Sequence, residues 1–230
     1  MYWSVVKANL KDMSYEDEFN HWYNSTHVPV YVSRPGFRRA WRLRRIDSEG
    51  QRGEKGQTFM AIYEIVSIES FANALKMALE TFDHPWEGWE NRIIDWQRTY
   101  YRVRLNHQDR QRDDTNVAGR FWTIVKVDFE DNRPGKEEEF NIWYDKVHVP
   151  EVCSFRGFRR AWRLEAVPQD SQLGPTGHKY WAVYETDEID YLPKVRKGKT
   201  PWDGIWNESI RNWTIMFYKV LYQDLSGPAW

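Results

Sequence analysis

Residues 27–43 read HVPVYVSRPGFRRAWRL, and residues 148–164 read HVPEVCSFRGFRRAWRL. Extended back to Phe19 and Phe140, the two windows share 16 of 25 residues, which chance does not produce. The likeness continues outward: YWSVVK (2–7) parallels FWTIVK (121–126), MAIYE (60–64) parallels WAVYE (181–185), and HPWEGW (84–89) parallels TPWDGIW (200–206). An internal repeat of this length means one structural unit written twice, and any fold for the chain must accommodate both copies. The expected organisation is a first unit over 1–105, a polar linker over 106–120, a second unit over 121–222 and a tail over 223–230.

Each copy parses alike. Alternating apolar and β-branched residues predict a strand at about 2–9 and 121–129. A helix is expected over about 14–27 and 135–148. There Phe19, Trp22, Tyr23 and His27, and again Phe140, Trp143, Tyr144 and His148, recur at helical spacing and mark one buried aromatic face. Pro29 and Pro150 disfavour helical geometry at the preceding valines, so this helix is expected to end at the histidine. Strands at GFRRAWRL and at about 58–66 and 179–186 follow, then a helix over about 68–80 and, in the second copy, about 187–196. The Thr200-Pro201-x-Asp203 pattern predicts a further helix start, and fourth strands are expected at about 95–104 and 212–221. The order β-α-β-β-α-β is the split βαβ, or ferredoxin-like, unit of an α+β fold. Its four-stranded sheet has helices on one face only, so two copies in one chain are expected to cover each other, sheet to sheet.

The run FNxWYxxHVPE (140–151), followed by GFRRAWR and by VYE on the third strand, resembles the dimeric α+β barrel superfamily, and within it the EthD-like branch. The resemblance spans both halves and implies that the usual dimer is made inside one chain, as a monomeric pseudo-dimer or a further homo-oligomer. It also implies a ligand cavity between sheet and helices. The chemistries of the superfamily range over cofactor-free monooxygenases, cyclases, isomerases, lyases and haem-using enzymes. Fold alone does not choose among them.

The residues narrow the choice. His148 and His27 are the leading acid–base candidates, since an imidazole on a dry aromatic face can move a proton near neutral pH; the competing reading is a histidine capping the last helix carbonyls. Tyr144 and Tyr23, one turn earlier, are placed to orient or protonate a substrate oxygen, or else are core tyrosines. Trp143 and Trp22 extend the same wall. Strict alternation along GFRRAWRL puts Phe37, Arg39, Trp41 and Leu43 on one face and Arg38, Ala40 and Arg42 on the other. On that basis Arg39 and Arg160, with Trp41 and Trp162, are expected to line the cavity, the inverted face assignment being the alternative; salt bridges are the plainer explanation of the arginines. Glu151, where the first copy has Val30, makes the second site the more complete one.

Other classes are disfavoured. Thirty-three basic against 34 acidic residues give a net charge near zero, so neither nucleic acid nor an acidic membrane is expected as a partner. The six histidines show no HxH or HExxH spacing, so no metal site is expected. Haem with His148 or His27 as axial ligand stays open, because one histidine suffices. The lone Cys153 precludes an internal disulfide and reads as a small buried apolar residue. With no long apolar run and no leader-like opening, a cytoplasmic location is expected. The 14 Trp, 13 Tyr and 11 Phe suit a pocket for a flat ligand. The expectation that follows is a cofactor-independent enzyme of the lyase or isomerase type, using histidine acid–base catalysis for an elimination, isomerisation or cyclisation of a small aromatic or unsaturated carbonyl compound. A haem-dependent or cofactor-free oxygenase and a non-catalytic binding protein are the alternatives.

Overall fold

Residues 1–80, 88–108, 121–189 and 206–226 are described by a computed structural model. Eight antiparallel strands run through them: β1 (Tyr2–Leu10), β2 (Phe37–Ile46), β3 (Phe59–Ile65), β4 (Ile93–Gln108), β5 (Phe121–Phe129), β6 (Phe158–Ala166), β7 (Tyr180–Thr186) and β8 (Ile210–Asp224). The helices are α1 (Glu16–Trp22), α2 (Val28–Val32), α3 (Ile68–Glu80), α4 (Lys136–Trp143) and α5 (Val149–Ser154). In the first half the order is therefore β-α-β-β-α-β. The expected helices near 187–196 and 200–206 lie largely outside the described residues.

The strands close into one barrel in the order β1-β3-β2-β8-β5-β7-β6-β4. The halves thus meet edge to edge as well as face to face. β2 pairs with β8 (Ala40 opposite Asp224, Ile46 opposite Phe217), and β4 pairs with β6 (Tyr101 opposite Ala166, Gln108 opposite Arg160). Closure satisfies the backbone groups that open sheet edges would leave unpaired. It also explains why β4 and β8 outrun their expected limits, since each must bond its own half and then the other. Residues 106–108, expected as linker, and 223–224, expected as tail, are strand for this reason.

Three cores result. Trp3, Trp41, Trp122 and Trp162 meet inside the bore, with every pair of ring centroids 5.2–6.1 Å apart. Val5, Leu43, Ile62, Ile124, Leu164, Val183 and their neighbours complete this shared core. The other two cores lie outside the barrel wall, one per half. Phe19, Tyr23, Val28, Phe37 and Tyr63 belong to the first, and Phe140, Tyr144, Val149, Phe158 and Tyr184 to the second. Cys153 is buried in the second of them.

The helix after β1 corrects one expectation. It does not stop at the histidine: α1 passes into a π-helical turn, Tyr23–His27, and continues as α2 to Val32. The Val28 N–H bonds to the Tyr23 carbonyl, five residues back, and Val28 keeps helical angles in front of Pro29. The wider turn accommodates a proline that has no N–H to give and whose ring would crowd an ordinary α-turn. Tyr144–His148 repeats the arrangement, with the Val149 N–H bonded to the Tyr144 carbonyl.

Candidate functional site

The π turns aim the tyrosine and the histidine of each half at the outer face of the sheet. His27 and His148 are 3% and 8% exposed. Each imidazole lies between its own helix aromatics: the His27 ring is 5.1 Å from Trp22 and 4.4 Å from Tyr23, and the His148 ring is 5.1 Å from Trp143 and 4.7 Å from Tyr144. Tyr31 adds a third ring beside His27, at 4.9 Å; Val152 stands at the matching place in the second half. So His27, His148, Tyr23, Tyr144, Trp22 and Trp143 come together as the helical spacing requires.

The strand face does not follow strict alternation. Between Phe37 and Arg39, and between Phe158 and Arg160, the register against β3 and β7 slips by one residue. Such a bulge turns every later side chain to the opposite face from the one alternation gives. Gly36, at φ +91°, enters this strand where an added Cβ would sit 2.4 Å from the Ser70 Cβ. Phe37 and Ala40 therefore join the helix-side core, and Trp41 and Leu43 face the bore.

Four site expectations are corrected by this slip. Trp41 and Trp162 are bore residues, across the sheet from the histidines. Arg39 and Arg160 likewise do not reach them, and pair instead with Glu64 (3.6 Å) and Glu185 (4.0 Å). The arginines that do lie under the helix are Arg42 and Arg163, 1% and 0% exposed.

Arg163 stacks on the Tyr144 ring at 3.7 Å and donates to Asp145 Oδ1 (3.0 Å) and Asn141 Oδ1 (3.1 Å). Arg42 stacks on Tyr23 at 4.0 Å and donates to Asn20 Oδ1 and Asn24 Oδ1, both at 3.1 Å. The two guanidiniums thus differ in partner: a carboxylate in the second half, an amide in the first. Tyr63 on β3 and Tyr184 on β7 complete the clusters, their phenols interacting with those of Tyr23 and Tyr144. Neither Arg42 and Arg163 nor this second pair of tyrosines was expected in the site. An arginine repeated at the same place in both copies was the available signal for the former.

Burial sets the protonation states. It pushes the phenols of Tyr23, Tyr63, Tyr144 and Tyr184 up, so all four are hydrogen-bond donors rather than bases. It lowers Arg42 to about 10, which still leaves a cation. Burial, and then the neighbouring Arg163 charge, hold His148 down to about 4. At neutral pH His148 is an uncharged imidazole and a weak base, since its burial and the Arg163 cation both oppose its protonation. Burial raises the Asp145 carboxyl, and Arg163 only partly offsets it.

Glu151 stands one turn beyond His148 on α5, with Oε2 buried and without a hydrogen-bond partner. Beneath α1, a cavity of about 10 Å³ touches Phe19, Tyr23, Arg42 and Phe59, room for about one water molecule. Among the described residues aromatic rings pack against both imidazoles, with centroids 4.4–5.1 Å from them. Among the same residues no cluster of three or more His, Cys, Asp or Glu could hold a metal ion, and no helix is long and apolar enough to cross a membrane.

No family model matches the chain, and no curated protein does. Solved structures do. A monooxygenase candidate from Fusobacterium nucleatum aligns over 99% of this chain and 95% of its own, at TM-score 0.62 and 14% identity. An anthrone oxidase-like protein aligns over 99% and 93%, at 0.64 and 12%. A monooxygenase candidate from Lactobacillus acidophilus aligns over 98% and 96%, at 0.63 and 8%. At such identities the likeness is one of fold: this chain has the α+β barrel architecture of those proteins.

Proposed function

We propose that the chain is an enzyme of the dimeric α+β barrel type, EthD-like in its helix motif, built from two ferredoxin-like units in tandem (1–105 and 121–222) and acting on a small aromatic or unsaturated carbonyl compound with an acidic C–H next to the carbonyl. The observation that carries this reading is the buried His148 packed between Trp143 and Tyr144, with Arg163 stacked on the Tyr144 ring. In the proposed reaction His148 takes a proton from a carbon next to the carbonyl, and the electron pair moves onto the carbonyl oxygen. The Tyr144 hydroxyl donates to that developing oxyanion, and the positive field of Arg163 stabilises it. Reprotonation at a second position would make an isomerisation, and loss of a leaving group an elimination. No bound group is needed for either. His27, Tyr23 and Arg42 would form the second site, with Glu151 favouring the His148 side.

A second reading shares the first step. Structural neighbours named as an oxidase-like protein and as a monooxygenase candidate suggest an oxygenation, in which the carbanion adds dioxygen to form a hydroperoxide that loses water and leaves a new carbonyl, dioxygen being the oxidant. One experiment separates the two. Anthrone, an enolisable aryl ketone, is incubated with the protein in deuterated buffer, with and without oxygen, while NMR follows exchange at the acidic carbon and an electrode follows oxygen uptake. Exchange without oxygen uptake supports proton transfer alone, and exchange with uptake supports oxygenation. If His148→Gln and His27→Gln combined leave catalysed exchange at the wild-type rate, the acid–base reading fails.

A further inference from the structure

The opposite side of the sheet holds a second polar cluster, which the proposed site does not use. Trp3, Val5 and Lys7 of β1, and Trp122, Ile124 and Lys126 of β5, point into the bore by strand alternation, so the repeated VVK and IVK endings bring two ammonium groups to one end of the barrel. Both lie against the same indole: Lys126 Nζ is 4.6 Å and Lys7 Nζ 5.6 Å from the Trp181 ring centroid. Lys126 is 9% exposed. It is flanked in the sheet by Trp181 on β7 and Thr214 on β8.

This nook is rich in donors and poor in acceptors. Neither lysine has an ion pair among the described residues. The Trp181 indole N–H and the Thr214 hydroxyl are buried without a hydrogen-bond partner. The near carboxylate, Asp128, is already engaged, accepting from the Lys179 backbone N–H (2.7 Å) and from Asn212 Nδ2 (2.9 Å). His178 bonds through Nε2 to the Asn212 carbonyl oxygen. Two like charges held in a low-dielectric nook without a counter-ion are costly. The cost shows in the amines themselves: burial lowers Lys126 to about 7 and Lys7 to about 8, with Lys7 repelling Lys126 further. An occupant bearing negative charge and several acceptor oxygens would relieve both the repulsion and the unmade hydrogen bonds.

We propose that this end of the bore is a binding site for a small oxyanion, of the class that includes inorganic phosphate and short carboxylates, held by Lys7 and Lys126 against Trp181 with Thr214 as a further donor. The site lies across the sheet from the histidines and stands or falls independently of the reaction assigned to them.

Urea unfolding of the full chain in phosphate, acetate or chloride at one ionic strength tests it. Phosphate or acetate at about ten times its own Kd, measured by calorimetry, is expected to lower the unfolding equilibrium constant roughly tenfold relative to chloride. The arm that responds identifies which oxyanion chemistry the site takes. Lys126→Met is expected to abolish the response while making the anion-free protein more stable, an outcome that a misfolded variant cannot give. Should that variant not fold, Lys7→Met decides, with an expected loss of at least half the response in logarithmic units. Trp181→Phe, which keeps a ring and deletes the N–H, is expected to weaken binding severalfold. Equal behaviour in all three salts overturns the proposal, as does a wild-type response in Lys126→Met or, if only that variant folds, in Lys7→Met.

Discussion

Acid should unfold this protein earlier than its carboxylates alone require, and His148 is the reason. Its imidazole sits at about 4 in the folded chain against 6.5 for the free side chain, because burial and the Arg163 charge oppose a second positive charge there. A histidine with a depressed folded value binds its proton more tightly when unfolded. Its neutral form therefore favours folding above about pH 6.5, and that contribution is lost progressively as pH falls towards 4. The difference between the two values corresponds to about 3 kcal/mol in full, of which roughly 2 kcal/mol is lost between about pH 7 and pH 4.5. The window matters, because Asp12 and Asp47, held below the usual carboxylate range by hydrogen bonds from Ser14 and Lys55, contribute mostly below it. Asp145, raised by burial, works in the opposite direction and takes up its proton more readily when folded. The assay is urea denaturation of the wild type and of His148→Gln at several pH values across the window. Gln keeps a neutral polar side chain that does not titrate, so the variant is expected to lose roughly 2 kcal/mol less than the wild type over the same range. Parallel pH dependences in the two proteins would refute both the neutral imidazole and the role of Arg163 in keeping it neutral.

Two further outcomes follow from the packing. Asp145→Asn recreates the Asn24 arrangement of the first half, so it is expected to cost under about 1 kcal/mol, whereas Arg163→Met removes the buried donor from Asp145 Oδ1 and Asn141 Oδ1, leaves Asp145 only Arg104 at 3.8 Å, and is expected to cost about 3 kcal/mol in chemical denaturation; equal costs would mean that the two halves hold their arginines differently from the geometry described. Gly36→Ala combines a left-handed backbone with a Cβ driven into Ser70, and is expected to cost about 2 kcal/mol or more, with Ser70→Gly recovering part of it in the double variant.

The larger plan of the fold can be read from the repeat. An internal repeat, read with its periods, is enough to set the strand and helix order of the first half, and helical spacing puts Phe19, Trp22, Tyr23 and His27 on one buried face. Those features are local or periodic, and local rules govern them. The remaining features depend on contacts between distant parts of the chain. Pro29 looked like a helix stop, yet the chain keeps its helix through a π turn, because packing against the sheet outweighs the local preference of Val28. Arg42 and Arg163, not Arg39 and Arg160, underlie the site, because a bulge one residue long reverses the faces of β2 and β6. The same reversal carries Trp41 and Trp162 into the bore, where only closure of the barrel brings them against Trp3 and Trp122. Alternation has a period of two, so a single inserted residue leaves the strand in place and exchanges everything it presents. Which residues share a strand was legible in the chain; which of them share a site depended on that one residue and on the second half closing the ring.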